Sequence, residues 1–450
     1  MAIAINFFSC SDPVTGDLQN SPPDTHLTLF PDSVIAPGST LRKISWWGDD
    51  VDGFVAGYYF SFDSTLPVSA WTFTEKSDST FLLQMNGNDT TFRFYVAAVD
   101  DKGTVDPSPA SNLYPTINSA PSMQFIGGTE IPDTIYPVAT FKWSATDPDG
   151  NSTVRYFYWS LNDTNHFSRL DGTVNIMTLV KDSGFVLNGA NCLYMRAQDN
   201  AGAYSTIVRM PADTVSYFFV KKVNSKILLI KDMPLSELNT LSGFYNSAMD
   251  TIKYDSLDIK SGNGKFIPKI INPMFIETLN LYDIVIWSSG RGNLSSDNAN
   301  FDLAQRSLPY YIQSGGKLFF TTGFPNAEVS QGSLINFAPI DSVAYCTIPF
   351  ISNLSLINIE NSFPVLTTNP GVLVQRVRGL KVSQNVTIIY RLPPTVACSD
   401  SSGGPIVAIK NTLNNPNNIF MGIPLYFMNG NPVYAKQFLQ KIIINEFGYH

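Results

Sequence analysis

The sequence predicts a multidomain chain: two all-β sandwiches in series, followed by an α/β domain with a doubly wound parallel sheet. Three observations predict it. A segment of 97 to 99 residues occurs twice in the first half. Near residue 224 the texture changes from short alternating strands to continuous apolar runs separated by helical stretches. Charge divides at the same point, with a net −10 over residues 1–224 and +2 over residues 225–450. At 450 residues the chain is too long for a single core. Hydrophobic residues at 44% against 15% charged exclude both a disordered acidic chain and a coiled coil. The net charge of −8 gives no footprint for phosphate binding, so nucleic acid is not an expected partner.

The chain opens with MAIAINFFSC, an apolar stretch closed by Ser9 and Cys10, and then turns polar and Pro-rich from Ser11 to Pro23. This resembles the tail of a bacterial lipoprotein signal, in which a cysteine after a small residue is lipidated and becomes the mature N-terminus. The basic segment that precedes such a stretch is absent here, and the apolar part is short. The resemblance implies lipidation of Cys10, a tether over residues 11–24, and a place in the bacterial cell envelope, lipid-anchored or secreted. The alternative is a buried N-terminal strand with an incidental cysteine. No other stretch approaches the roughly 18 apolar residues that a membrane span requires. The four cysteines, Cys10, Cys192, Cys346 and Cys398, show neither a disulfide framework nor zinc-ligand spacing.

The repeat organises the first half. Ile44-Ser45-Trp46-Trp47, Asp50-Val51-Asp52-Gly53 and Tyr58-Tyr59-Phe60-Ser61 correspond to Phe141-Lys142-Trp143-Ser144, Asp147-Pro148-Asp149-Gly150 and Tyr156-Phe157-Tyr158-Trp159-Ser160. Further on, Phe94 to Asp100 corresponds to Leu193 to Asp199, with Gly103 opposite Gly202. Short alternating strands bounded by Gly, Asp, Asn and Pro, about 100 residues per unit, fit an all-β sandwich. The pattern resembles immunoglobulin-like fibronectin type III domains at residues 25–118 and 119–223. The residues that carry the resemblance are Trp46 and Trp143, the DxDG turns, the aromatic third strands and the late Tyr-x-x-Ala-x-Asp pattern or its close variant. Trp46 and Trp143 are expected in the cores, with Tyr95 and Tyr194 burying their rings. Pro107, Pro109, Pro115 and Pro121 are expected to mark the linker between units.

Asp50, Asp52 and Asp100 or Asp101 gather on loops at one pole of the first unit, and Asp147, Asp149 and Asp199 repeat the arrangement. Clusters of carboxylate oxygens suit calcium, with Asn162 and Asp163 as further ligands. The same residues also serve tight turns, in which Asp bonds its own backbone and Gly accepts positive φ. Three carboxylates fall short of the six to eight oxygens that calcium takes, so the turn role explains all that the spacing requires. No other cofactor is indicated.

In the second half, KILLIK at 226–231, YDIVIW at 282–287 and KLFFT at 317–321 read as strands covered on both faces. Another strand is expected at 254–259, helices at 238–249 and 300–313, and a closing strand and helix at 419–423 and 433–446. Residues 325–404 read as a long irregular stretch. Strands alternating with helices predict a parallel doubly wound, flavodoxin-like sheet. YDIVIW-SSGRG and Ser314-Gly315-Gly316-Lys317-Leu318-Phe319-Phe320-Thr321-Thr322-Gly323 resemble the class I glutamine-amidotransferase-like fold, over residues 224–450. In working members a nucleophilic cysteine follows that strand, and a late His-Pro-Glu supplies its partners. Here the resemblance puts Thr321 at the first position and Ile423, Pro424 and Leu425 at the others, which implies a degenerate site. The histidines, His26, His166 and His450, offer no base to a nucleophile there. Ligands of open parallel sheets sit beyond the strand ends, which here would gather Asp232, Ser288, Ser289, Arg291, Thr321, Thr322 and Tyr426.

Three functional readings follow. The first is a non-catalytic envelope scaffold that binds an envelope protein or a glycan. The second is a carbohydrate-active or other hydrolase using Asp232, Asp283 and Asp302, although no pair among them has acid–base spacing. The third is a sugar-binding adhesin using Trp46, Trp47, Trp71 and Trp159, although tryptophan in such sandwiches is usually core.

Overall fold

The computed structural model describes residues 19–27, 41–83, 90–126, 131–260, 273–290, 300–323, 337–372, 374–383, 385–394, 403–412 and 418–450. Cys10, Arg291 and Cys398 lie outside the described residues.

Among the described residues, the first sandwich comprises β1 (Asp24–Leu27), β2 (Leu41–Asp49), β3 (Val55–Ser61), β4 (Thr72–Thr74), β5 (Asp78–Leu82), β6 (Thr90–Asp100) and β7 (Ala110–Thr116). Sheet β1-β2-β5 faces sheet β4-β3-β6-β7. Alternation along β2 turns Ile44 and Trp46 inward and Trp47 outward. Trp46 packs against Phe94 at 5.5 Å and Phe60 at 5.9 Å, within a core that also takes in Phe81 and Tyr114. Trp47 is 48% exposed and lies on the His26 ring at 4.1 Å.

The second sandwich repeats this plan with β8 (Ser122–Phe125), β10 (Ala139–Thr146) and β13 (Ile176–Leu179) facing β11 (Val154–Leu161), β12 (Ser168–Asp171), β15 (Leu193–Asp199) and β16 (Val208–Met210). Trp143 takes the place of Trp46 and is fully buried against Phe157. A small extra sheet, β14 (Gly189–Asn191), β17 (Phe218–Val220) and β9 (Thr134–Ile135), has no counterpart among the described residues of the first sandwich.

Two sequence expectations change here. Tyr95 and Tyr194 are only half-buried, because the inward positions of β6 and β15 belong to their neighbours Phe94, Val96, Leu193 and Met195. Pro115 belongs to β7 rather than to a linker. It is tolerated because β7 is an edge strand, where the missing N–H removes no ladder bond.

The C-terminal half comprises β18 (Ile227–Asp232), α1 (Leu235–Ala248), β19 (Asp255–Asp258), α2 (Met274–Leu279), β20 (Ile284–Ser289), α3 (Phe301–Gln313), β21 (Lys317–Thr321), β22 (Ile340–Ile351), β23 (Ile357–Asn358), β24 (Val374–Val382), β25 (Val386–Arg391), β26 (Ile406–Asn411), β27 (Asn418–Met421) and α4 (Pro432–Gln440). The main sheet runs β19-β18-β20-β21-β27-β26-β25-β23. Neighbours from β19 to β27 pair in parallel, and from β27 to β23 antiparallel, so the sheet is mixed rather than purely parallel. The stretch expected to be irregular supplies β22 to β25, two of which, β22 and β24, form a separate antiparallel ribbon. Its longer strands, β22 and β24, mix polar and charged residues with apolar ones and carry no long apolar run to announce them.

Both faces of β18, β20 and β21 are covered, which is why each carries a continuous apolar run, whereas the edge strand β19 is polar and half-buried. Ile227, Leu229, Ile284, Ile286 and Phe319 meet α1 and α4. Leu228, Ile230, Val285, Trp287 and Phe320 meet α2 and α3. Between α3 and β21, Gly315 adopts φ +91°, and a Cβ on Gly316 would fall within 2.5 Å of the Tyr311 ring. The second sandwich seats directly on this half. The Tyr136 hydroxyl donates to Ser256 O at 3.0 Å, its ring meets Tyr282 edge-on at 5.5 Å, and Met274 joins the sandwich core. Among the described residues, no helix is long and apolar enough to cross a membrane.

Candidate functional site

The acidic residues of each sandwich do converge at one pole, and the preceding linker docks onto them. In the second sandwich Asp147 and Asp149 precede β11, and Asp199 closes the antiparallel neighbour β15, so all three share one end. The Asn118 amide donates to Asp199 Oδ2 at 2.7 Å, and Ser119 N–H donates to Asp149 Oδ2 at 2.6 Å. In the first sandwich the Asn20 amide donates to Asp100 Oδ2 at 2.5 Å, and Ser21 N–H to Asp52 Oδ2 at 3.1 Å. Asn20-Ser21 and Asn118-Ser119 are therefore one more repeated element, 98 residues apart. That spacing was available in the sequence and would have extended the repeat across the linkers. Of the tether expected over residues 11–24, residues 11–18 lie outside the described residues, and the rest is held to the first sandwich through Asn20 and Ser21.

Within each pole the turn chemistry is also present. Asp147 Oδ1 accepts from Asp149 N–H at 2.8 Å, and Asp50 Oδ1 from Asp52 N–H at 3.3 Å. Asp199 Oδ1 accepts from Ala203 N–H at 2.8 Å, and Asp100 Oδ1 from Thr104 N–H at 2.7 Å. The second oxygen of the first aspartate behaves differently. Oδ2 of Asp147 and Oδ2 of Asp50 are both shielded from solvent and have no hydrogen-bond partner. Burial, together with neighbouring carboxylates, holds both groups above the ordinary carboxylate range. Asn162 and Asp163 do not contribute. They follow β11 at the far pole, where Asp163 pairs with His166 at 2.7 Å.

One tighter group lies beside the first pole. Asp24, His26 and Asp49 each offer a ligand atom within 4.8 Å of the others, on the paired strands β1 and β2. The three carboxylates at either pole are spread more widely than that.

The strand ends of the C-terminal sheet hold the other predicted residues, divided between its two faces. Asp232, Ser289 and Thr322 lie on the α2 and α3 side. Asp232 is fully buried, and its Oδ2 accepts from Trp287 Nε1 at 3.0 Å and from Asn300 N–H at 2.6 Å. Desolvation pushes its pKa up. Ser289 donates to the Thr322 hydroxyl. On the other side Thr321 Oγ1 donates to Ile423 O at 3.0 Å and accepts from Leu425 N–H at 2.9 Å. Ser288 is buried beside it, and the Tyr426 hydroxyl donates to Glu237 at 2.6 Å.

The acids nominated for hydrolysis do not converge. Asp283 precedes β20, at the opposite end of the sheet from Asp232, and pairs with Lys226 at 3.2 Å, while Asp302 pairs with Arg306 within α3 at 3.0 Å. The nominated tryptophans do not form a platform either. Trp46 is core, Trp71 is buried with Nε1 donating to Leu66 O at 3.0 Å, and Trp159 is half-buried.

No family model and no curated protein matches the chain. Among solved structures it is similar to the fibronectin(III)-like modules of Clostridium thermocellum CbhA, at 11% identity over 44% of this chain and 94% of that one, TM-score 0.19. It is also similar to the PKD1 domain of Vibrio anguillarum Epp, at 14% identity over 21% and 96%, TM-score 0.15. A third similarity is to the FN1–FN3 domains of chicken CNTN1, at 13% identity over 45% and 69%, TM-score 0.18. Within this chain, three strands facing four in each sandwich is the fibronectin type III-like arrangement that the repeat implies.

Proposed function

We propose that this protein is a non-catalytic binding or scaffold protein of the bacterial cell envelope. Its two fibronectin type III-like sandwiches, residues 25–118 and 119–223, carry a degenerate class I glutamine-amidotransferase-like, flavodoxin-like domain, residues 224–450, toward an envelope protein or a glycan. A lipid anchor on Cys10 belongs to the same reading.

The observation that carries it is the bonding of Thr321. The positions that the resemblance assigns to a nucleophile and its two partners come together, since Thr321 bonds to the backbone of both Ile423 and Leu425. Their chemistry is structural, however. The threonine hydroxyl is engaged as donor and as acceptor, fully buried, beside two side chains that accept no proton. The docked linkers support a spacer role for the sandwiches, because each module is held to the segment that precedes it.

The full chain incubated with glutamine is expected to release no ammonia, and candidate glycans and peptides are expected to raise its melting temperature without turnover. Glutamine hydrolysis that disappears in Thr321→Ala would overturn the reading.

A further inference from the structure

We propose that each sandwich binds one calcium ion at its linker-side pole, so that the ion ties the incoming linker to the module. The inference goes beyond the scaffold reading and does not depend on it. Turn formation accounts for Oδ1 of Asp50 and of Asp147, which accept from the second aspartate of each DxDG. It leaves Oδ2 unexplained in both. Two equivalent carboxylate oxygens, 97 residues apart, are each closed off from water without a hydrogen bond of their own; the Thr153 hydroxyl beside the Asp147 carboxyl donates to Gly150 O at 2.7 Å. Asp147 is 6% exposed, and its neighbours Asp149 and Asp199 are 1% and 2% exposed, so three carboxylates share a desolvated pole. An unpaired buried carboxylate oxygen is strongly unfavourable, and a cation is the group that meets several at once.

The first pole adds a shaped space. A Cβ on Gly53 would sit 2.6 Å from Asp50 Oδ2 and 2.5 Å from Asp101 Oδ1, so the missing side chain is what lets these oxygens face one another. Asn20 Oδ1 is likewise buried without a partner, a second such oxygen at this pole. Every candidate donor is oxygen, with neither histidine nor cysteine among them, which favours a hard cation over a transition metal. The aspartates and the asparagine supply part of the six to eight oxygens that calcium takes, and solvent would have to complete the set.

The second site also lies at a junction between modules, since the Leu82 side chain of the first sandwich comes within 3.3 Å of the Cβ position of Gly150.

The test is calorimetric titration of the full, chelator-treated chain with calcium chloride to about 10 mM, above the roughly 0.1–1 mM dissociation constants of extracellular modules. Magnesium chloride is the control. Two sites are expected, with stoichiometry falling from two to one in Asp50→Asn and in Asp147→Asn, and a calcium-dependent rise in melting temperature that magnesium does not reproduce. Asparagine keeps the shape and the Oδ1 acceptor, so a turn-only role predicts no change. Gly53→Ala, which fills the first cradle, gives an independent route to losing one site. Absence of binding at 10 mM, or a stoichiometry unchanged in these variants, overturns the proposal, and binding at one pole alone overturns its paired form.

Discussion

The two sandwiches carry the same strand order and the same DxDG turn, yet they bury that turn differently. In the second, Asp147 and Asp149 are both buried; in the first, Asp50 is half-exposed and Asp52 exposed. The second pole faces another module, with Leu82 resting near Gly150, and the opposite part of that sandwich is joined to the α/β half through Tyr136 and Met274. The difference teaches that one local sequence can be a surface turn or a desolvated cluster, according to what is packed on either side.

The largest effects should be equal in the two modules. Trp46→Ala and Trp143→Ala each remove a fully buried indole, and each should destabilise its own sandwich by about 3–5 kcal/mol. Denaturant melts followed by a probe in each module test this, and a loss confined to one module would break the equivalence of the cores. Tyr136→Phe should distinguish the modules instead. It removes the hydroxyl that donates to Ser256 O, worth about 1 kcal/mol, and should loosen the second sandwich from the α/β half without touching the first. Hydrogen exchange at β19 and β9 would register the change.

Asp147 gives the comparison a pH dependence. Its pKa is raised in the folded state, so folded protein holds that proton more tightly than unfolded chain, and the group's contribution turns unfavourable as pH rises above about 4. In chelator, the melting temperature of Asp147→Asn should therefore gain on that of the parent between pH 4 and pH 7. A gap that narrows with rising pH would contradict the burial of this carboxylate. The smallest effect belongs to Trp47→Ala, within about 0.5 kcal/mol, because the ring lies on the outer face against His26. A loss as large as that of Trp46→Ala would mean that the facing of β2 is reversed.

Much of this architecture was legible because it repeats. The 97-residue spacing of Trp46 with Trp143 and of Asp50 with Asp147 placed the core and the pole without any propensity argument. The continuous apolar runs of β18, β20 and β21 likewise announced strands covered on both faces. What escaped was information held between distant segments. That Asn20 and Asn118 reach strand ends about 80 residues later follows from how the chain returns on itself, not from any local pattern. The antiparallel strands β25 and β26 escaped for a related reason. Their β-branched residues, as in VTIIYR, favour strands locally, but that they pair antiparallel and extend the parallel sheet is decided by neighbours found across it. The bonding of Thr321 to Ile423 and Leu425 could be guessed only through a family resemblance, since 102 to 104 residues separate the partners.

The proline in β7 has a consequence at the level of the protein population. A chain with sandwiches in series presents open sheet margins, each able to recruit the margin of another molecule and begin a fibril. Pro115 sits within the edge strand of the first sandwich, and Pro211 follows the corresponding edge strand of the second. Neither residue has an N–H to offer an incoming strand, so both margins are poor templates for intermolecular pairing. At high local concentration such molecules stand side by side without fusing into a common sheet.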